Sequence, residues 1–299
     1  MAVTKVPILD ESNRLYDDVM PLGWGGDDPF IYHGTNANMS RGGSAGTKVW
    51  VGSVYPNYKL PGDTWLVATE QAVEPPITWF SNYSAATIAA ADLSTLSTWA
   101  DTGTAARDLA QPTSGKRPTL HVAGSGTPAY VRFGGAHAMQ TAAFAAPLAQ
   151  PATAFTAVRM TSVTTSASVV KRIYDGLDAT NEWELQQRGN GTVALFQSYA
   201  GSSVNSGVAA PAVAGAWNVI TEVRNGGSSK IRVNGVEVTS AAGSLSLGGL
   251  TVGSKFDMAT VFGDFDLGDS RVTAGLLSPG QIAAQEAFLA SRYGVTLAP

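Results

Sequence analysis

The 299-residue chain contains no cysteine. Disulfide staples, thiolate zinc sites and cysteine nucleophiles are therefore excluded, while an oxidising compartment is neither required nor ruled out. Charge is sparse as well. Only 14% of residues are Asp, Glu, Lys or Arg, and no basic stripe of the kind that neutralises a phosphate backbone is present, so no nucleic-acid partner is expected. No apolar run approaches the length of a membrane span, and membrane insertion is not expected. The opening Met1–Lys5 leads into polar sequence rather than the apolar core of a signal peptide, which predicts synthesis in the cytoplasm. No serine sits in a Gly-x-Ser-x-Gly elbow, and no glycine-rich loop follows a strand and opens a helix. His33, His121 and His137 are far apart and in no metal-ligand spacing, and lone polar or turn roles are expected of them. Neither an internal repeat nor a heptad run is found. No cofactor and no metal is expected.

The composition that remains suits short strands and turns. The chain has 33 Gly, 15 Pro and 44% hydrophobic residues, enough for one good-sized core plus a smaller appendage. Its net charge of −4 lies entirely in the first 75 residues, which hold 5 Lys/Arg against 9 Asp/Glu; the remaining 224 hold 14 of each. Consecutive prolines in Glu74-Pro75-Pro76 forbid regular pairing and mark a stiff linker. Two domains are predicted, residues 1–75 and 76–299.

In the second, Phe155–Met160, Val169–Tyr174, Trp183–Gln187, Val193–Gln197 and Trp217–Val223 read as strands. Asn234-Gly235, between Ile231–Val233 and Val236–Val238, supplies the two positive-φ positions of a two-residue hairpin turn. Near the end, Ser278 suits an N-cap, Pro279 the first helical position, and Gln281 the reciprocal place of a capping box; Gly294 stops the helix. Ile282, Leu289 and Tyr293, with Phe288 beside them, form one apolar stripe to lay on a sheet. Strands separated by turns, with one late helix, imply a two-sheet sandwich.

Glu182 and Glu184 are the best catalytic candidates. Alternate strand residues share a face about 7 Å apart, a separation glycosidases use. The competing interpretation, preferred here, has Trp183 and Leu185 in the core and both glutamates on the wet face of an alternating strand. Asp264, Asp266 and Asp269 form an oxygen-rich cluster of the kind that can hold calcium, but lack the Gly-anchored spacing of a calcium loop, and turn or strand-end roles are preferred. Trp99, Trp183 and Trp217 are expected in the core. Tyr55, Tyr58, Trp79 and Tyr83 lie in or near connections, where aromatics stack on sugars, fill a partner's pocket or pack between the two domains. Catalytic, metal and cofactor residues are accordingly predicted to be none, the ligand-binding residues are unknown, and the chain is expected not to be an enzyme.

Two blocks carry a family resemblance. Trp99-Ala100-Asp101 with Arg107-Asp108, Arg117-Pro118-Thr119 and Tyr130–Gly135 is similar to the opening of a laminin-G-like, concanavalin A-like jelly roll. The Asp269–Thr273 run, the Leu277-Ser278 corner and a helix ending in Tyr293-Gly294 resemble its close. The resemblance covers roughly 76–299 and implies a mainly β, two-sheet jelly-roll sandwich with a C-terminal helix, preceded by a small irregular N-terminal unit. In that unit Val6–Leu15 reads as a strand and turn, residues 40–47 as a mobile loop or hinge, and Val49–Gly52 with Thr64–Leu66 as a hairpin. Asp10–Leu15 and the stretch from Pro56 through Pro61-Gly62-Asp63 to Trp65 resemble segments of bacteriophage tail proteins. The resemblance implies a virion structural protein, of tail fibre, tail tip or head decoration, whose N-terminal unit binds other virion proteins and whose jelly roll contacts surface or host glycan. A homo-oligomer is expected, a trimer if it is a fibre. The alternatives are a bacterial carbohydrate-binding module or a divergent glycan hydrolase.

Overall fold

The computed structural model describes residues 31–33, 47–51, 64–68, 74–124 and 127–298, and the chain divides into two units, Met1–Gln71 and Ala72–Pro299. In the first, β1 (Ile31–His33), β2 (Thr47–Val51) and β3 (Thr64–Ala68) form a sheet in that order, with both pairings parallel. The hairpin expected between β2 and β3 is therefore corrected. A two-residue turn joins only antiparallel strands, whereas the connection from 52 to 63 is long enough for the crossover a parallel pair requires. The expectations for Val6–Leu15, residues 40–46, Tyr55 and Tyr58 lie outside the described residues.

The second unit is a sandwich of two 8-stranded sheets, mainly antiparallel and closed by one helix. Its strands are β4 (Ser81–Ser84), β5 (Thr98–Trp99), β6 (Leu109–Ala110), β7 (Thr119–His121), β8 (Tyr130–Gly134), β9 (Met139–Gln140), β10 (Ala152–Met160) and β11 (Lys171–Asp175). They continue as β12 (Glu184–Gly189), β13 (Ala194–Tyr199), β14 (Ser203–Asn205), β15 (Trp217–Arg224), β16 (Lys230–Val233), β17 (Val236–Thr239), β18 (Thr251–Val252) and β19 (Asp264–Ala274), followed by α1 (Pro279–Tyr293). One sheet runs β17-β16-β15-β10-β19-β8-β7, with β4 also on β19, and carries α1; the other runs β14-β13-β12-β11-β18-β9-β6-β5. The expected two-sheet jelly-roll class is borne out.

Alternation positions the core. On β8, Val131 and Phe133 point inward and Tyr130 and Arg132 outward; on β12 and β13, Leu185 and Phe196 join Trp99, Trp183 and Phe265 between the sheets. Burial of each large side chain is worth about 1.5–3 kcal/mol. The Asn234-Gly235 turn has positive φ at both residues, as a two-residue hairpin needs. The motifs of the opening block act structurally. Asp101 accepts from the backbone N–H groups of Asn82 (2.8 Å), Gly103 (2.8 Å) and Arg107 (3.3 Å), and Arg117 donates to the carbonyls of Gln111 and Pro112, both at 2.9 Å.

The helix starts as expected, with Ser278 and Gln281 exchanging capping-box bonds, and Gly294 in the left-handed region ends it. Phe288, Leu289 and Tyr293 pack on Trp79, Phe155, Ala157 and Val219 in a second core on the sheet's outer face. One irregularity there matters for everything around it. The β10/β19 register shifts between Ala157 and Val158, leaving Gly268 as an extra residue on β19. A Cβ on Gly268 would stand 2.2 Å from the Tyr293 ring, so glycine is what lets the helix end lie on the sheet. Residues three apart on a regular strand face opposite ways; the bulge turns both Asp266 and Asp269 outward, toward the arginines that hold them.

Candidate active site

Three carboxylates meet where β11 ends and β12 begins. Asp175 is followed by Gly176, and a side chain there would meet the Asn181 carbonyl at 2.2 Å and Glu182 Cα at 2.7 Å. Glycine thus lets the returning chain run directly against β11. Between them Asp178 ties the turn, accepting from the backbone N–H groups of Thr180 (2.8 Å) and Asn181 (2.9 Å). Glu182 consequently lies ahead of β12 rather than on it, and oxygen atoms of Asp175, Glu182 and Glu184 all come within 4.8 Å of one another. The expectation that Glu182 is an alternate residue of the strand holding Glu184 is therefore corrected, since that strand begins at Glu184.

The cluster is also not wet. Relative exposure is 0% for Asp175, 8% for Glu182 and 7% for Glu184, so the expectation of two glutamates on a solvated face does not hold. Arg172 is the cation beside them: it pairs with Glu184, and its Nε is 3.6 Å from Asp175 Oδ2. Asp175 accepts from the N–H of Gly176 (2.7 Å) and Phe256 (3.2 Å). Burial pushes its carboxyl up to about 6 against the pull of Arg172, and Glu184 adds to the rise. Glu182 is pushed further, to about 8, by burial first, then by its hydrogen bond to Glu184 and the charges of Glu184 and Asp175. Glu182 thus holds a proton at neutral pH.

The inner side of the sheet braces the site. Arg224, fully buried, donates to the Glu184 carbonyl (3.0 Å) and to Glu222 (2.6 Å), lies over the Trp183 ring, and Glu222 accepts from Tyr174. Outward, Tyr199 faces Glu184 across the β12/β13 pair, and Arg172, Gln186, Gln197 and Asn205 form one cross-strand row. The amides in that row are hydrogen-bonded in series, Gln186 to Gln197 and Gln197 to Asn205 (2.6 Å). Arg172, Asp175 and Gly176 escaped the sequence expectation. Their only linear signal was an Asp-Gly pair at a strand end, which reads equally well as a turn.

The other candidates take different places. Asp266 and Asp269 are not arranged around a cation site: Arg159 (2.8 Å) and Arg132 hold Asp266, and Arg271 (2.7 Å), Arg292 (3.3 Å) and the Tyr293 hydroxyl (2.5 Å) hold Asp269. Asp264 accepts from Thr161 N–H and hydroxyl through its backbone carbonyl. His121 stacks on Tyr130, and His137 accepts from the Gly134 N–H; of His33 the backbone alone is described, in β1. Trp99 and Trp183 are in the core as expected, but Trp217 is half-buried on the outer face of the helix-bearing sheet. Tyr83 is buried between the sheets and Trp79 in the core under α1.

No family model matches the chain, and no curated protein matches it by sequence. Solved structures do. Domain 4 of AbnA, a GH43 extracellular arabinanase from Geobacillus stearothermophilus, in complex with arabinotriose, is 13% identical, with a TM-score of 0.48 over 70% of this chain and 98% of that one. Trypanosoma rangeli sialidase in complex with sialic acid is 11% identical, with a TM-score of 0.49 over 73% of this chain and 34% of that one. The botulinum neurotoxin serotype D binding domain is 12% identical, with a TM-score of 0.45 over 70% of this chain and 50% of that one. The chain thus spans about a third of the sialidase and half of the neurotoxin fragment. The expectation that the chain is not an enzyme is corrected here: the described residues bring Asp175, Glu182 and Glu184 together, with Glu182 protonated.

Proposed function

We propose that this β-sandwich binds glycan along the outer face of the second sheet and cleaves it at the Glu182–Glu184 pair. The observation that carries the reading is a buried carboxylic acid raised to about 8, within 4.8 Å of two other carboxylates and beside one arginine. A carboxylic acid kept protonated by burial next to a second carboxyl group is the arrangement a glycosidase uses for its acid. Glu182 gives its proton to the departing glycosidic oxygen as the bond to the anomeric carbon breaks, and Glu184, countered by Arg172, forms a new bond to that carbon. Water then displaces Glu184 while Glu182 takes back a proton. The close approach of the two carboxyls favours this retaining course over the inverting one, which needs them about 6.5–9.5 Å apart to seat a water. Tyr199 and the amide row Gln186, Gln197 and Asn205 would meet sugar hydroxyls alongside.

Reducing-end release from a panel of plant, bacterial and host polysaccharides tests the reading, with Glu182→Gln and Glu184→Gln each expected to lower turnover at least about 100-fold. Binding without cleavage by the wild-type protein would reduce the domain to a carbohydrate-binding module and remove the catalytic roles. A virion setting is a second reading, supported by the tail-protein likeness of Asp10–Leu15 and of the stretch from Pro56 to Trp65. In it residues 1–75 attach to the particle and 76–299 meet the host surface. Mass spectrometry of particles carrying either deletion decides it; incorporation of the sandwich alone would reverse the division of labour.

A further inference from the structure

On the opposite sheet, a pocket of about 320 Å³ opens beside the end of α1, lined by Thr127, Arg159, Trp217, Ser291, Arg292 and Tyr293. Arg159 lies over both Tyr130 (5.0 Å) and Trp217 (5.1 Å), and Tyr293 meets Trp217 at 4.6 Å, its hydroxyl turned down to Asp269. The aromatic wall is therefore held rigidly, and Trp217 is half-buried in it. Polar groups of both kinds are left over. Arg159 spends Nε and Nη2 on Asp266, and Arg292 bonds through Nη1 alone; among the described residues the other guanidinium N–H groups have no partner. The carbonyls of Ser291, Arg292 and Tyr293 are in the last turn, beyond the Gly294 bond to Ala290, and accept from no described group.

We propose that this pocket binds a neutral pyranose unit of a glycan, as a site separate from the carboxylate cluster. Unspent donors facing unspent acceptors suit hydroxyls, which give and take hydrogen bonds at once, and a rigid indole suits the apolar face of a sugar ring. An anion fits less well. The four arginines Arg132, Arg159, Arg271 and Arg292 are balanced by Asp266, Asp269, Glu74 and Asp264, and the helix C-terminus presents its negative end. The volume suits one or two sugar units. The proposal shares the glycan reading but not its chemistry, since no group of the pocket takes part in cleavage.

The test is saturation-transfer NMR and calorimetry on the full chain carrying Glu182→Gln, with maltotriose, xylotriose and galacturonotriose as probes. A neutral trisaccharide is expected to bind. Ser291→Phe, at an exposed position that touches no ion pair, is expected to weaken binding at least about 10-fold, and Arg159→Lys, which keeps the charge on Asp266 but loses the planar fork, about 5-fold. Raising NaCl from about 50 to 500 mM should change affinity less than about 2-fold. Binding untouched by Ser291→Phe, preference for galacturonotriose, a steep salt dependence, or no binding of either neutral probe would each overturn the proposal. In the Glu182-intact protein, Ser291→Phe should leave cleavage of a soluble trisaccharide unchanged, so failure of this site and failure of the catalytic reading give different results.

Discussion

On the helix-bearing sheet Asp266 and Asp269 are each met by two arginines, whereas on the other sheet Asp175, Glu182 and Glu184 share Arg172. Asp269 and Glu182 are both buried, so dehydration is common to the two and the charges around each separate them. At Asp269 burial pushes the carboxyl up, but Arg271 and Arg292 outweigh it and the group ends below its usual range. At Glu182 burial and two acidic neighbours act together and Arg172 does not suffice, so a proton stays. One face clamps a helix; the other keeps a buried proton.

The largest test of that contrast is Asp269→Asn. It leaves Arg271, 2% exposed at its side chain, with only Glu74, and removes the charge that Arg292 and the Tyr293 hydroxyl meet; a loss of about 3–5 kcal/mol is expected in urea unfolding. A loss below about 1 kcal/mol would show that the clamp does not hold the helix. Next comes Gly176→Ala. Its Cβ collides with the Asn181 carbonyl, which should cost about 1–3 kcal/mol and, by displacing Glu182, abolish both cleavage and the pH effect described next.

That pH effect follows from linkage. Glu182 rises from 4.5 to about 8 and Asp175 from 3.8 to about 6 on folding, so the folded chain keeps protons that the unfolded chain has released. Stability from these groups is complete below about pH 4 and is lost as pH rises toward 8. Melting temperature should therefore fall by a few degrees between pH 5 and 8, and Glu182→Gln should flatten the slope; an unchanged slope would exclude Glu182 as its source. Asp269 works in the opposite sense, its contribution fading only as pH falls below the carboxylate range. The smallest effect, about 1 kcal/mol, is expected for Ser278→Ala, which removes the helix cap and touches neither cluster; calorimetry would read it.

Legibility followed locality. The capping box, the Gly294 stop and the Asn234-Gly235 hairpin were readable because a few adjacent residues settle each. The β2–β3 pairing was misread because strand direction depends on the path of the whole connection. Glu182 and Glu184 were expected on one solvated face; the structure keeps them together but buries both. An alternating pattern reports which residues share a face but not whether that face is covered.

Composition and periodicity alone determined a cysteine-free, mainly β sandwich closed by a helix, since turn chemistry and two-residue alternation act within a few residues of one another. The tertiary structure alone decided that Asp175 and Arg172 join the two glutamates, because Gly176 permits a close approach that no linear pattern records. It alone turned Asp266 and Asp269 to one face, through a one-residue bulge at Gly268. Proton affinity at Asp269 and Glu182 is set by burial together with the charges beside each, and a bulge at one site and a tight turn at the other bring those charges up.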